Sequence, residues 1–217
     1  MTTARRPATR KAAATRVEIL VAAAQLFAEK GYSECNLREL ADKVGMKAGS
    51  FYYHFRSKEE ILDELLKTSI ALVTDAVTEA IAAEGPEAPI RARIIAALRA
   101  HMTTFLSADG HASAFMRVWE HLPPTMRRRN REKRRAYAEI WYRLMEEGRA
   151  EGLIRTDIEL RLLVPFVIAG MSRTIEWYNP RHMTIDMICD LVVRVYLDGG
   201  ITAPGSAKDT GASRAAE

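Results

Sequence analysis

Cysteine is scarce in this 217-residue chain, with only Cys35 and Cys189, far apart. Neither belongs to a CxxC or a Cys/His grouping, which excludes a zinc module and a disulfide framework. Both read as thiols of a reducing compartment. No run approaches the ~18 apolar residues that mark a membrane span. The start, TTARRPATRKAAATR, has no apolar core and so is no signal peptide. A cytoplasmic protein with no membrane partner is expected. Alternating apolar and polar residues flanked by turn pairs are missing too, which excludes a sheet. There is no GxSxG, no P-loop, no HExxH and no GxGxxG after a strand. The five histidines, His54, His101, His111, His121 and His182, lack metal-ligand spacing. No enzyme is expected, and with it no catalytic residue, metal site or cofactor.

What the chain does have is helical periodicity and a lopsided charge. Apolar residues make up 48%, enough for a folded core, and the net charge is +4. Up to Glu60 there are eleven Lys/Arg against seven Asp/Glu, and beyond it the two kinds balance. A basic head on a neutral body fits a nucleic-acid partner, although a solvated basic surface gives the same count.

The expectation is an all-α fold of about nine helices. The first spans about Thr15 to Lys30, with Val17, Leu20, Val21, Ala24 and Phe27 on one face, and Gly31 ends it. Asn36 caps the second, with Glu39 completing a capping box, and Gly45 stops it. A short third helix covers about Ala48 to His54. Ser57 caps a long fourth, which Gly85-Pro86 ends. Body helices follow at about 89–106, 112–120, 124–151, 158–178 and 184–198, with a kink expected at Pro165. Residues 1–12 and 203–217 are small and polar and are expected to be disordered tails. The predicted domains are a head over 13–57 and a body over 58–202. Arg5, Arg6, Arg10 and Lys11 read either as an arm on the DNA backbone or as a solvated tail.

Residues 36–55, NLRELADKVGMKAGSFYYHF, read helix, tight turn, short helix. Small Ala41 lets the two helices approach. Gly45 suits a turn that needs positive φ, and Met46 and Phe51 are apolar plugs. This is helix-turn-helix geometry, whose second helix enters a major groove of double-stranded DNA. Gly49 permits close backbone approach, and the hydroxyls of Ser50, Tyr52 and Tyr53 can bond phosphates or base edges. Lys47 and Lys58 are placed as phosphate partners.

The string from Ala24-Gln25-Leu26-Phe27 and Gly31-Tyr32 through Leu37-Arg38, Leu40-Ala41, Val44-Gly45 and Gly49-Ser50-Phe51-Tyr52-Tyr53-His54-Phe55 to Ser57-Lys58-Glu59-Glu60 resembles the DNA-binding head of TetR/AcrR regulators. That resemblance implies a homodimer formed mainly by the last two helices. It implies a palindromic operator, usually repressed, and a body ligand that spreads the heads. By position it makes Arg38, Lys47, Ser50, Tyr52, Tyr53, His54 and Lys58 the DNA contacts. Ala48 stands at a commonly polar position, which removes one base contact. The alternative is the same fold acting as an activator, or as a nucleoid-type protein without an effector.

In the body, residues 127–135 carry seven basic side chains and one acidic. They read either as a solvated helix start or as a cationic mouth for an anionic ligand. Trp119, Tyr137, Trp141 and Phe166, with Phe115 and Met116, sit at helical spacings that suit either ordinary core or a cavity lining. The frame Arg134-Arg135-Ala136-Tyr137, Trp141, Gly148, Gly152, Arg155-Thr156-Asp157, Trp177-Tyr178-Asn179-Pro180 and Leu197-Asp198-Gly199-Gly200 resembles TetR-type regulators of fatty-acid and sterol breakdown. Several of those sense acyl-CoA thioesters. That resemblance places Arg173 and Trp177 at a ligand tunnel. In the sterol-type pattern an Arg precedes the Trp-Tyr pair; here Glu176 stands there and would repel a phosphate. A neutral or cationic hydrophobic effector therefore stays open beside an acyl-CoA.

Overall fold

The computed structural model describes residues 7–107, 118–119 and 122–199. Among them the chain forms nine α-helices and no strand. The head holds α1 (Pro7–Lys30), α2 (Leu37–Lys43) and α3 (Ala48–His54). The long α4 (Lys58–Glu84) leads into a body of α5 (Ile90–Phe105), α6 (Pro124–Arg129), α7 (Arg131–Ala150), α8 (Leu160–Arg173) and α9 (Ile185–Val193). A 3₁₀ turn, Thr174–Glu176, follows α8, and a π turn, Arg194–Gly199, follows α9. The helix expected over 112–120 lies outside the described residues, except that 118 and 119 are helical. Phe115, Met116 and the tail 203–217 lie outside them as well.

Local chemistry starts α2 and α4 where the sequence says. The Asn36 side chain accepts hydrogen bonds from the N–H groups of Arg38 and Glu39, both at 3.0 Å. The Glu39 carboxylate accepts from the Asn36 N–H at 3.5 Å, which closes the capping box. Ser57 accepts from the Glu60 N–H at 3.1 Å. Gly45 turns the chain between α2 and α3 at φ 65°, a conformation that side chains with a Cβ rarely adopt.

Three expected helices differ. Helix α1 begins at Pro7 rather than Thr15, so residues 7–12 are helical; proline's fixed φ suits the first helical position. On α1, Val17 is exposed, while Ile19, Ala23 and Phe27 fill the core. The helix expected over 124–151 breaks at buried Asn130. The Asn130 side-chain amide donates to the Met126 carbonyl at 3.1 Å and its oxygen accepts from Lys133 at 3.1 Å. A side chain that bonds nearby backbone competes with the helix ladder. Finally, α8 runs through Pro165 but ends at Arg173, short of residue 178.

Two cores result. The head core gathers Ile19, Phe27, Leu40, Phe51, Phe55, Ile61 and Leu65, and also Val118 and Leu122 from beyond α5. The body core gathers Val77, Ile94, Met102, Trp141, Val164 and Ile188. Helix α4 serves both, and its Ile70 packs against each.

Candidate DNA-reading head and effector cavity

Helix α3 is held by its apolar residues and presents the rest. Phe51 and Phe55 are fully buried. Lys47, Gly49, Ser50 and Tyr52 are exposed, as is Arg38 on α2. Tyr53 is 85% exposed and meets half-buried His54 edge-on, with ring centroids 5.6 Å apart. A tyrosine that open to solvent adds almost nothing to the core; its ring and hydroxyl are available to a partner.

Lys58, expected at a phosphate, is engaged within the chain. Its ammonium donates to the carbonyls of Tyr32, Ser33 and Cys35, at 3.1, 2.9 and 3.2 Å. It also lies 4.8 Å from the centre of the Tyr32 ring. An ammonium has three N–H donors, and all three are engaged here, so Lys58 ties α4 to the α1–α2 connection. Arg16 is a residue sequence reasoning missed. Its guanidinium donates to the His54 carbonyl and to Glu64 and lies 4.0 Å over the Phe55 ring. It thereby fixes the end of α3 against α4. No local pattern reveals this, because its partners lie 38 and 48 residues away.

The body encloses a cavity of about 910 Å³. Its buried part is formed by Ser69 and Val73 of α4, His101 and Phe105 of α5, Tyr137 of α7 and Ser172 of α8. Its exposed wall carries Arg127, Arg128, Arg131, Arg134 and Arg135. Among the described residues no carboxylate pairs with Arg127, Arg128, Arg131 or Arg135. Several guanidinium groups within about a Debye length of one another make a strong positive field at the rim. The spacing 127, 128, 131, 134, 135 is itself a helical stripe, a signal present in the sequence but hidden by counting the run as a whole.

Of the six side chains expected at a ligand, Trp119, Tyr137 and Arg173 line this cavity. Trp141 does not; it is fully buried behind Tyr137, with ring centroids 6.4 Å apart. Phe166 and Trp177 stand apart from the cavity, 67% and 51% exposed. The early end of α8 accounts for Trp177, which lies beyond the helix and its 3₁₀ turn. Arg173 pairs with Glu176, so the acid that departs from the sterol-type pattern engages the arginine expected at the ligand.

Residues 19–65 match the model of the bacterial regulatory proteins of the tetR family, and residues 87–199 match that of the tetracyclin repressor-like C-terminal domain. The chain belongs to the TetR family. It is a helix-turn-helix transcriptional repressor, and TetR regulators bind operator DNA and dimerise. It is 29% identical to the HTH-type transcriptional repressor KstR2 of Rhodococcus jostii, over 85% of this chain and 90% of that one. It is 22% identical to the fatty acid metabolism regulator protein of Bacillus subtilis, over 79% and 87%. The structure of the ketosteroid transcriptional regulator KstR2 of Mycobacterium tuberculosis superposes with a TM-score of 0.72 at 24% identity, over 88% and 96%, which speaks to fold. These relatives are regulators, not enzymes. Among the described residues no helix is long and apolar enough to cross a membrane.

In this TetR-family chain, head and cavity share residues. Ile70 of α4 packs on both cores and lines the cavity. Trp119 packs on the head core and lines the cavity, with the Arg134 guanidinium 4.4 Å over its ring. Arg129 of α6 pairs with Asp63 of α4 at 2.8 Å. A ligand that shifts the arginine-bearing helices therefore pulls on α4 close to the head.

Proposed function

We propose that this repressor is released from a palindromic operator by an amphiphilic anion of the acyl-CoA thioester class. One observation carries the effector: a single cavity joins a buried, mainly apolar interior to a wall of five exposed arginines. Guanidinium forks suit phosphate oxygens, and the interior suits an acyl group. Relatives named for ketosteroids and for fatty-acid metabolism support that direction. On the DNA side, Arg38, Lys47, Gly49, Ser50, Tyr52, Tyr53 and His54 form the reading surface. Two copies paired through α8 and α9 set two α3 helices into successive major grooves. The protein acts in the cytoplasm, where operator DNA is found.

Release requires the effector to bind the DNA-incompetent arrangement better, since equal affinity for both shifts nothing. The test begins with an operator selected from a random duplex library, for which an inverted repeat is expected. Decanoyl-CoA is then titrated into the complex, with coenzyme A and decanoate as separate controls. Release by the thioester at concentrations where neither fragment acts supports the proposal. Release by decanoate alone, or by none of the three, overturns the effector class.

A further inference from the structure

We infer that His101 is a specificity determinant of the cavity, donating a hydrogen bond from Nε2 to an acceptor oxygen carried on the otherwise apolar part of the effector. The inference rests on the amphiphilic effector proposed above.

His101 is 2% exposed and lines the cavity at its buried end. Its ring is clamped. It stacks on Phe105 at 5.4 Å and 9°, lies 6.0 Å from the Tyr137 ring, and meets Trp141 edge-on at 6.3 Å. Its Nδ1 lies 2.6 Å from the Tyr137 hydroxyl. Among the described residues its Nε2 is buried and has no hydrogen-bond partner. Buried polar nitrogens in folded proteins are overwhelmingly paired, so an orphan on a residue that lines a cavity is a place for the cavity's occupant to act.

The Tyr137 O–H, whose polar partner is His101 Nδ1, donates to that nitrogen in the assigned tautomer. A neutral imidazole that accepts at Nδ1 carries its proton on Nε2. Burial holds both groups neutral, pushing the His101 imidazole down to about 4 and the Tyr137 phenol up. The interior thus offers an uncharged ring donor at His101, alongside the hydroxyls of buried Ser69 and Ser172. That suits a carbonyl oxygen such as a ketone; a plain hydrocarbon leaves the donor unsatisfied, and such sites discriminate against the analogue lacking the polar group.

The experiment compares decanoyl-CoA with oxodecanoyl-CoA isomers, the ketone walked along the chain, by calorimetric titration of the full-length protein. In the wild type one isomer is expected to bind at least about tenfold tighter than decanoyl-CoA. His101→Leu should erase that preference while retaining decanoyl-CoA binding. Equal affinities across the wild-type series, or a preference that survives His101→Leu, overturn the inference. Should His101→Leu not fold, Tyr137→Phe decides: a preserved preference overturns, a loss of several-fold supports. If no thioester binds at all, the proposed effector class fails, and decalone against decalin in a thermal-shift assay judges His101 on its own. Stabilisation by the ketone alone supports the donor, and no difference between the two removes it.

Discussion

At Lys58 two roles compete for one ammonium group, and the carbonyls of Tyr32, Ser33 and Cys35 take it. The contrast with exposed Lys47 is testable. Lys58→Ala should lower stability by about 1–2 kcal/mol, because hydrogen bonds to a charged, part-buried group are lost. Urea unfolding measures this, and the operator affinity of the folded variant should hardly move. Lys47→Ala should do the reverse: unchanged unfolding, weaker operator binding, and a salt-dependence slope smaller by about one. A loss of salt slope in the Lys58 variant would restore it as a phosphate contact. His101 gives a pH prediction. Burial lowers its pKa to about 4, against about 6.5 in the unfolded chain. As pH falls the unfolded chain takes up the proton first, so this site's stability is intact above about 6.5 and is lost progressively toward 4. The loss amounts to about 3 kcal/mol at most. Unfolding midpoints across that range should fall in the wild type and flatten at this step in His101→Leu. At this scale legibility tracks sequence distance. The Asn36–Glu39 box spans three residues and could be read directly; the partners of Arg16, Lys58 and His101 are 23 to 48 residues away and could not.

Among the elements, the head was legible and the body only partly so. Helices α2 and α3 carry their own start, stop and plug residues, so their pattern is complete within twenty positions. The body helices carry no such complete set. The break at Asn130 depends on an amide that finds Met126 and Lys133, and the early end of α8 removes Trp177 from the cavity. The arginine stripe was present in the sequence all along; what was missing was the cavity that turns a charged helix face into a wall. This arrangement makes α6 the connector, since Arg127 and Arg128 face the cavity while Arg129 holds Asp63 on α4. Arg129→Ala should leave operator affinity and effector affinity, each measured alone, close to wild type. The ratio of effector affinities with and without operator should shrink several-fold, because coupling is a separate free energy from either binding step. An unchanged ratio would place the linkage in the Ile70 and Trp119 contacts rather than in this ion pair.

For the whole molecule, the decisive feature is a set of apolar side chains left exposed among the described residues. Leu162 and Phe166 on α8, and Met187, Leu191 and Val195 on and just beyond α9, are all exposed at four-residue spacings, with Trp177 between the two rows. Rows at that spacing are the ridges by which helices pack on one another. Exposed apolar rows of this kind mark an association surface. It lies on the last two helices, where the family resemblance puts the dimer, and it explains why Phe166 and Trp177 are absent from the cavity. Phe166 meets Tyr196 edge-on at 6.2 Å, which brings α8 against the π turn beyond α9. Placing a charge in each row, Phe166→Glu with Leu191→Glu, should yield a folded monomer by sedimentation velocity, with helical content retained. Operator affinity should then fall by at least about 100-fold, because two heads on one rigid body gain effective concentration that two separate heads lack. The same variant should still bind its effector, since the cavity is lined within a single chain among the described residues. A variant that stayed dimeric would move the interface to another face. One that became monomeric yet bound the full operator as tightly as before would mean that head spacing, the quantity an effector must change, has no part in recognition.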